Sequence, residues 1–462
     1  MRRVRLAASA GAALGPLLEP QGVEFPCGGE GICRGCRVRV VEGEVPVTSE
    51  MEALFSGAEL AAGWRLACRG VARGPVVVEV AQWESPVLTD EAPVRFTPRE
   101  GVGVAVDVGT TTLVAQSVDL ATGAVLGVET ALNPQAPYGA DVMSRIAAAM
   151  AGAPLRRLIR EAVEGMVERL CMRPQRVVLV GNTVMHHLWG GLNVAPLAEA
   201  PFEARELGSI LEGKWEFLPC IGGFVGSDIL AGISACGMAE SDRLTALIDL
   251  GTNGEIVLGS RERLVCASTA AGPAFEAAQI RHGMRAAPGA IAHVAARDGR
   301  AECRVIGDVP PLGICGSGLV EAVAAGLDLG WIAASGRSKG VPLTGDLGLT
   351  QRDIRELQLA KAAIASGLRL LAEVRGVTLD EIETVYLAGA FGNYVSPEAA
   401  LRVGLVEVPR ITAAGNTALR GAKLHLLNEA PEPLVEHFAL ASHERFQDTF
   451  AECIGFVDPN AS

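Results

Sequence analysis

Two segments of the 462-residue chain share one pattern, and their aspartates, Asp107 and Asp249, lie 142 positions apart. In residues 103–115 and 246–258, an apolar strand ends in aspartate, an x-Gly-Thr turn follows, and a second apolar strand begins. A single match of this kind would be a weak signal. Two matches at the spacing of a domain predict duplicated α/β halves that face a common cleft.

The turns of both hairpins suit phosphate, because glycine N–H and threonine O–H groups can donate hydrogen bonds to its oxygens. The two aspartates can hold Mg²⁺ directly or through water. Glu255 is a candidate for orienting an attacking water, or equally a structural carboxylate of the strand. We therefore predict a nucleotide site whose catalytic residues are Asp107, Asp249 and Glu255, and whose phosphate contacts are Gly109, Thr110, Thr111, Thr112, Gly251, Thr252, Asn253 and Gly254.

A third segment, residues 384–398, has the pattern of a buried strand, a glycine turn and a helix with Ser396 as N-cap and Pro397 in its first turn. Such a turn lets adenine or ribose approach the backbone closely. The sequence contains no Gly-x4-Gly-Lys-Ser/Thr loop, which excludes a P-loop site. The remaining candidate cofactor contacts are Gly389, Gly392 and Asn393 in this turn, and Gly316 and Ser317 at a predicted hinge.

A separate feature of the first 70 residues is a Cys-x5-Cys-x2-Cys motif followed by a fourth, distant cysteine. Three thiolates on one loop and a fourth from another segment is the arrangement that holds a [2Fe–2S] cluster in ferredoxins. Zinc is the alternative, but zinc sites pair two Cys-x2-Cys knuckles, and the fourth cysteine has no such neighbour. We predict that the cluster is bound by Cys27, Cys33, Cys36 and Cys68.

Composition limits the partners and the location. The formal net charge is −13 and no lysine- or arginine-rich run occurs, which argues against nucleic acid. No apolar stretch is long enough for a membrane helix. Arg2, Arg3 and Arg5 before residues 6–18 resemble an export signal, but removing them would damage the region before the cluster motif, so we expect a cytoplasmic protein.

The remaining cysteines are predicted to be buried thiols: Cys171, Cys220, Cys236, Cys266, Cys303, Cys315 and Cys453.

These motifs resemble two known architectures. The cysteine segment is similar to plant- and adrenodoxin-type ferredoxins, which implies an α+β domain with the β-grasp fold over residues 1–80. Residues 81–101, which contain three prolines, are predicted to be an extended linker. The three later motifs, in this order, resemble the actin, sugar-kinase and acetate-kinase superfamily. That resemblance implies an α/β, ribonuclease H-like ATPase domain over residues 102–462, with lobes of approximately 102–240 and 241–462.

A ferredoxin domain fused to such an ATPase domain resembles the reductive activators of corrinoid enzymes, over nearly the whole chain. Matching passages include Gly-Asn-Thr-Val-Met-His-His at 181–187 and Gly-Gly-Phe-Val-Gly-Ser-Asp at 222–228. The other passages are 133–135, 138–145, 271–276, 283–285 and 415–421. Longer members carry an extra domain between the ferredoxin and ATPase parts, whereas only the short linker is found here, so the choice of partner could differ.

The resemblance implies an enzyme that uses ATP, Mg²⁺ and a [2Fe–2S] cluster to return inactive Co(II) to Co(I) and so restore a cobalamin-dependent methyltransferase. The implied partners are a corrinoid protein or methyltransferase and an upstream electron donor, and two ATPase domains could pair as a homodimer. Neither nucleic acid nor a membrane is expected as a partner.

Other functions stay open at this point. The chain could be a small-molecule kinase with a structural or regulatory cluster, or a scaffold, although a scaffold would not need intact phosphate motifs. Activators of radical hydroxyacyl-CoA dehydratases hold their cluster inside the ATPase part, unlike the motif found here. His186 and His187 are candidate lower ligands of cobalt, but packing or capping at a helix start is the favoured explanation.

Overall fold

The computed structural model describes residues 2–18, 23, 31, 36–80, 96–251, 253–389, 395–428, 433–440 and 443–457. Several predicted site residues lie outside these ranges, as does residue range 81–95 of the predicted linker. Those site residues are Cys27, Cys33, Thr252, Gly392 and Asn393. Residues 96–101 lie against the ATPase domain, where the Arg99 guanidinium donates a hydrogen bond of 2.6 Å to the Leu426 carbonyl.

The N-terminal domain is a small α+β unit built on a sheet with the strand order β1-β6-β3-β4. Its first strand pairs antiparallel with β6, so the arginine-rich start of the chain is part of this fold. Val38, Leu66 and Val78 are among the fully buried side chains of its core. The elements are β1 (Arg2–Leu6), β2 (Ala12–Ala13), α1 (Leu14–Leu18), β3 (Arg37–Glu42), α2 (Ser49–Leu54), α3 (Gly57–Ala61), β4 (Trp64–Leu66), β5 (Val71–Ala72) and β6 (Val76–Val80).

The first ATPase lobe contains an antiparallel meander of β7, β8 and β9, and β10 lies parallel to β7. The full strand order is β11-β12-β10-β7-β8-β9. The elements are β7 (Val102–Val108), β8 (Thr112–Asp119), β9 (Val125–Leu132), α4 (Val142–Met150), α5 (Leu155–Leu170), β10 (Val177–Val180), α6 (Thr183–Gly190), β11 (Ile210–Glu212), β12 (Trp215–Phe217) and α7 (Ser227–Ala235).

The second lobe repeats that arrangement, with a meander of β13, β14 and β15 and with β21 parallel to β13. Its strand order is β22-β21-β13-β14-β15-β23. The elements are β13 (Thr245–Leu250), β14 (Gly254–Ser260), β15 (Arg263–Thr269), β16 (Ala290–Arg297), β17 (Arg300–Val305), β18 (Gly313–Ile314), α8 (Gly316–Asp328), β19 (Val341–Thr344), β20 (Leu347–Leu349), α9 (Gln351–Arg375), β21 (Thr384–Ala388), α10 (Pro397–Arg402), β22 (Ile411–Gly415), α11 (Thr417–Leu427), β23 (Val435–His437) and α12 (Phe446–Cys453).

The two sheets therefore have equivalent topologies, and β7 and β13 occupy equivalent positions in them. The predicted fold class, a ferredoxin-type domain followed by a duplicated α/β domain, is confirmed. Among the helices of the described ranges, none has the length and hydropathy needed to span a bilayer. The expectation for the scattered thiols is wrong in part, because Cys171, Cys236 and Cys303 are only half-buried.

Two helices cross between the lobes. Ile229 and Ile233 of α7 pack with Leu247 of the second sheet. In return, Leu419 and Leu426 of α11 pack on the first sheet. Each lobe thus contributes a helix to the core of the other, so that this crossing joins them.

The crossing depends on a glycine. A Cβ atom at Gly421 of α11 would lie 2.0 Å from the Ala231 carbonyl oxygen of α7. Gly421→Ala is therefore expected to lower the free energy of unfolding by about 1–3 kcal/mol, the usual effect of overpacking. Gly165→Ala in α5 is the matched control, since its Cβ would meet no atom closer than 3.4 Å. That control should be stabilising by about 0.5–1 kcal/mol. Urea denaturation measures both; equal effects would contradict the packing argument.

Candidate functional site

The two repeated aspartates belong to one charge cluster between the lobes. Burial raises the pKa of Asp107 to about 6, partly offset by a hydrogen bond that Asn416 Nδ2 donates to Asp107 Oδ2 over 2.9 Å. Burial, and then the charge of Asp107, raise the pKa of Asp249 to about 7. The structure therefore brings these residues of different lobes close enough for the charge of Asp107 to disfavour ionisation of Asp249.

Two further carboxylates complete the cluster. Burial and then the charges of Asp249 and Asp107 raise the pKa of Asp228, in the first turn of α7, to about 8. Glu255 lies opposite Asp249 in the β13–β14 pairing. Burial, followed by the charges of Asp228 and Asp249, raises the pKa of Glu255 well above its ordinary value. Ser268 Oγ donates to Glu255 Oε1 over 3.2 Å.

Asp228 is a functional candidate that sequence reasoning missed. It ends the passage 222–228, which was noted only as a family resemblance. Its position is fixed by close backbone packing, since a Cβ at Gly226 would lie 2.1 Å from the Gly181 carbonyl oxygen. A carboxylate directly after a Gly-Ser pair at a helix start was the signal that could have identified it.

Asparagines hold the turn of the first hairpin in place. Asn182 Nδ2 donates to Thr110 Oγ1 over 2.8 Å, while Asn182 Oδ1 caps α6 by accepting from the Met185 N–H. Asn133 Nδ2 donates to the Gly109 carbonyl oxygen over 2.9 Å. The turn is tight, because a Cβ at Gly109 would lie 2.4 Å from the Thr112 carbonyl oxygen. Thr110, Thr111 and Thr112 are half-buried, so this turn borders solvent-accessible space.

The second turn lies against the third motif. Gly251 N donates to the Asn253 carbonyl oxygen over 3.1 Å, which closes the turn, and Gly254 begins β14. Gly389 follows β21 with a φ of +85°, and a Cβ there would lie 2.7 Å from Asp249 Oδ1. The structure thus places the described part of the third motif in contact with the aspartate of the second hairpin. The helix start predicted after it is confirmed, since Ser396 Oγ accepts from the Ala399 N–H.

The candidates at the start of α8 make contacts within their own lobe. Gly316 is buried, and Ser317 is only 3% exposed. Ser317 Oγ donates to the Ala292 carbonyl oxygen over 3.0 Å. In this conformation the hydroxyl of Ser317 is used in a hydrogen bond at the start of the helix. A phosphate at this place would be bound by the backbone N–H groups of the helix start instead.

The described cysteines of the N-terminal motif, Cys36 and Cys68, lie on neighbouring segments. Ala67 N donates to the Cys36 carbonyl oxygen over 3.0 Å, so Cys36 and the Cys68 segment lie side by side. Gly31, inside the motif, has a φ of +74°, and a Cβ there would lie 2.7 Å from Arg69 Nε. Gly31 therefore lies next to the segment of the fourth cysteine, with a backbone conformation that favours glycine. Cys27 and Cys33 lie outside the described residues.

The two histidines of α6 are packing residues. His186 and His187 are fully buried, with His187 Nδ1 2.8 Å from the Thr183 carbonyl oxygen and His186 Nε2 3.0 Å from the Gly208 carbonyl oxygen. Burial lowers the pKa of both. Because neither ring reaches the surface, the structure favours packing over ligation of a partner's cobalt.

The carboxylate cluster predicts a pH dependence of stability. An unfolded aspartate titrates near pH 3.9, whereas Asp107, Asp249 and Asp228 do so at about 6, 7 and 8 when folded. Between these values the folded state binds more protons, so the unfolding free energy falls as the pH rises. We expect the melting temperature without nucleotide or divalent cations to decrease from pH 5 to pH 8.

Differential scanning fluorimetry across this range measures the effect. Asp228→Asn should flatten the decrease, because it removes one of the carboxyl groups whose pKa is raised in the folded protein. Asp380→Asn, at an exposed position of the second lobe, should leave it unchanged. A melting temperature that rises with pH would show that other groups control the stability.

The fold and site define a class of protein: a ferredoxin-type electron carrier joined to a two-lobed ATPase. Three family models match, described as the 2Fe-2S iron–sulfur cluster binding domain (residues 3–73), the RACo middle region (102–241) and the C-terminal domain of RACo, the ASKHA domain (243–461). The corrinoid activation enzyme RamQ of Eubacterium limosum is 34% identical over 411 residues, which cover 75% of this chain and 69% of RamQ.

The [Co(II) methylated amine-specific corrinoid protein] reductase of Methanosarcina barkeri is 26% identical over 409 residues, 75% of this chain and 76% of that protein. A solved structure, the reductive activator for corrinoid, iron–sulfur protein, is 26% identical with a TM-score of 0.69, covering 98% of this chain and 96% of that one. The chain belongs to the family of reductive activators of corrinoid proteins. The matched models support a [2Fe–2S] cluster and ATP binding, and family membership favours an activator over a small-molecule kinase.

Proposed function

We propose that this enzyme uses ATP to reduce Co(II) to Co(I) in a corrinoid protein. One electron passes to the substrate cobalt, and the N-terminal domain is thereby oxidised by one electron, which an upstream donor replaces. The observation that carries this proposal is the union of a cluster-binding domain and a carboxylate-lined nucleotide cleft in one chain. RamQ and the Methanosarcina barkeri reductase, which are named for corrinoid activation and reduction, span most of it.

The energetics explain why a nucleotide is required. A plant-type [2Fe–2S] cluster has a potential near about −400 mV, and generating Co(I) requires a very strong reductant. Each ~59 mV of uphill potential costs a factor of ten in the equilibrium for a one-electron step. ATP can change that equilibrium only if the enzyme binds ATP differently in its two conformations. The cleft between the lobes is the obvious element with two positions.

We propose that Mg²⁺ enters this cleft with ATP and is organised by Asp107, Asp249 and Asp228. The fit is electrostatic. Burial and neighbouring carboxylates raise the pKa values of these groups, which means that their charged forms are destabilised. A divalent cation would stabilise the charged forms. In the described residues, no three acidic, histidine or cysteine side chains converge as direct ligands. That agrees with an ion bound partly through water and phosphate oxygens, as Mg²⁺ prefers.

The phosphate contacts we propose are the N–H and O–H groups of Gly109, Thr110, Thr111 and Thr112 in the first turn. Gly251, Asn253 and Gly254 act in the second turn, and the backbone at Gly389 borders the nucleoside. Glu255 orients the water for hydrolysis, and Ser268 holds it by its hydrogen bond.

The finer partners follow from the same chemistry. We propose that the corrinoid protein serves a cobalamin-dependent methyltransferase, that an upstream donor reduces the N-terminal domain, and that two ATPase domains pair. A cytoplasmic location supplies the ATP. Size-exclusion chromatography with light scattering tests the pairing, for which a monomer at all concentrations would be the contrary result.

The decisive experiment uses the purified, anaerobically reduced protein and a cob(II)alamin-loaded methyltransferase. Visible spectra with and without Mg-ATP should show that Co(I), or methyl-cobalt when a methyl donor is present, accumulates only with the nucleotide. An unchanged cobalt spectrum together with a phosphorylated small molecule would establish a kinase instead.

A further inference from the structure

Arg37 lies in an unexpected place for an arginine. It directly follows Cys36, a predicted cluster ligand, and it begins β3. The alternating pattern of β3 predicts a solvent-facing side chain, yet Arg37 is only 4% exposed. Its guanidinium carbon lies 5.5 Å from the centre of the Trp64 ring in its own domain. Burying a guanidinium is costly unless specific partners compensate, so the environment of Arg37 indicates a dedicated contact.

Two of its contacts belong to the ATPase domain. Arg37 Nη1 donates to the Leu312 carbonyl oxygen over 2.5 Å, and Arg37 Nη2 lies 3.1 Å from Met284 Sδ. The side chain of Leu312 packs in turn against the apolar core of the N-terminal domain. The residue next to a cluster cysteine therefore fastens the N-terminal domain to the second lobe.

The two contacts on the lobe form one small unit that leads to α8. Met284 N donates to the Ile314 carbonyl oxygen over 2.9 Å, and Leu312 N donates to the Gly289 carbonyl oxygen over 2.7 Å. Leu312 lies only four positions before Gly316, where α8 begins and where a cofactor contact was predicted. A small shift of the start of α8 would therefore be transmitted to both partners of Arg37.

We propose that the contacts of Arg37 with Leu312 and Met284 hold the iron–sulfur domain against the second lobe. We call these contacts the latch and the docked position of the domain the parked position. Nucleotide binding breaks the latch by moving the segment from Met284 to Gly316. Parking itself stands on the contacts alone, whereas its control by ATP rests on the function proposed above. Since the lobe covers the surface beside Cys36, a protein acceptor cannot approach the cluster from that side in the parked position. Opening the latch frees that surface only when ATP is bound, so Arg37 is a positioning residue.

The test compares Arg37→Gln with Arg39→Gln in the full-length, cluster-loaded protein after anaerobic reduction of its cluster. Arg39 is the matched control because it follows on the same strand but bonds to Glu79 within its own domain. Electron transfer to cytochrome c, a protein-sized acceptor, is measured with and without Mg-ATP. Transfer to ferricyanide, which is small enough to approach from other sides, is measured in parallel.

Arg37→Gln should raise the nucleotide-free rate with cytochrome c by about tenfold, as expected for loss of a buried charge-assisted hydrogen bond. The stimulation by ATP should fall toward one, while the rate with ferricyanide stays constant. Hydrogen exchange of residues 309–315 should become faster in this variant without nucleotide. Arg39→Gln should behave as the wild type in all three measurements.

Met284→Ala removes the contact of Arg37 on the side of the second lobe and does not change the cluster loop. It therefore tests the proposal even if Arg37→Gln loses its cluster absorbance. Met284→Ala should raise both the nucleotide-free rate with cytochrome c and the rate of hydrogen exchange, as Arg37→Gln does, but by a smaller factor. Unchanged exchange at 309–315 in both variants would refute parking. Faster exchange with full ATP stimulation would refute the control by nucleotide. None of the three measurements uses a corrinoid, so failure of the proposed reduction would be seen separately.

Discussion

Replacing Cys68 with serine is expected to abolish electron transfer to Co(II) while ATP affinity changes by less than about twofold. Cys68 follows β4, and the adjacent Ala67 N–H bonds to the Cys36 carbonyl, so the two cysteines lie on neighbouring segments. Iron–sulfur clusters are held by thiolates, and a serine hydroxyl near neutral pH is a much poorer ligand. The proposed nucleotide cleft lies between the two lobes of the ATPase domain and does not contain this residue.

Iron and sulfide content, the visible absorbance of the cluster, and the binding of a fluorescent ATP analogue measure the outcome. Cys303→Ser is the control, since Cys303 is a half-buried thiol of β17 in the ATPase part. It should retain both the cluster and the activity. Equal losses of cluster and ATP affinity in Cys68→Ser would mean that these thiols only support the fold.

The fold was predictable because its decisive features are local. Each phosphate hairpin lies within about a dozen consecutive residues, and the Asp-x-Gly-Thr turn fixes the pairing that places Glu255 opposite Asp249. The presence of two equivalent hairpins then predicted two equivalent sheets, and so the division of the domain into two lobes. The N-cap at Ser396 was predictable for the same reason, because the serine and its proline neighbour are adjacent in sequence.

The rest of the site could not be predicted, because it depends on segments that are distant in the sequence. Asn416 touches Asp107 across 309 positions, and Asn182 reaches Thr110 across 72. The sequence shows an asparagine at each position but not which neighbour it faces. Arg37 illustrates the same limit, since its strand pattern predicted exposure and a second domain buries it. Ser317 is the converse case, a predicted ligand whose hydroxyl bonds within its own lobe.

Asp249→Asn is expected to lower ATP-driven reduction of Co(II) by at least about a hundredfold, the size of effect seen when one preorganised electrostatic group is removed from a catalytic site. In the same variant the nucleotide-free protein should become more stable near pH 8. Asp249 is held next to Asp107, Asp228 and Glu255. Removing its charge relieves their repulsion, and a gain of 1 kcal/mol corresponds to about 1 °C in a chain of 462 residues, at about 2.1 cal/mol/K of unfolding entropy per residue.

Opposite changes in activity and stability distinguish a functional carboxylate from a structural one. Activity is measured by the appearance of Co(I) under saturating Mg-ATP, and stability by the melting temperature without nucleotide, after the iron content has shown that the cluster is intact. Asp380→Asn, which removes an exposed charge of the same lobe, should change neither quantity. If Asp249→Asn lost stability and activity together, the carboxylate would be a structural support, and the assignment of the cleft as the Mg-ATP site would have to be abandoned.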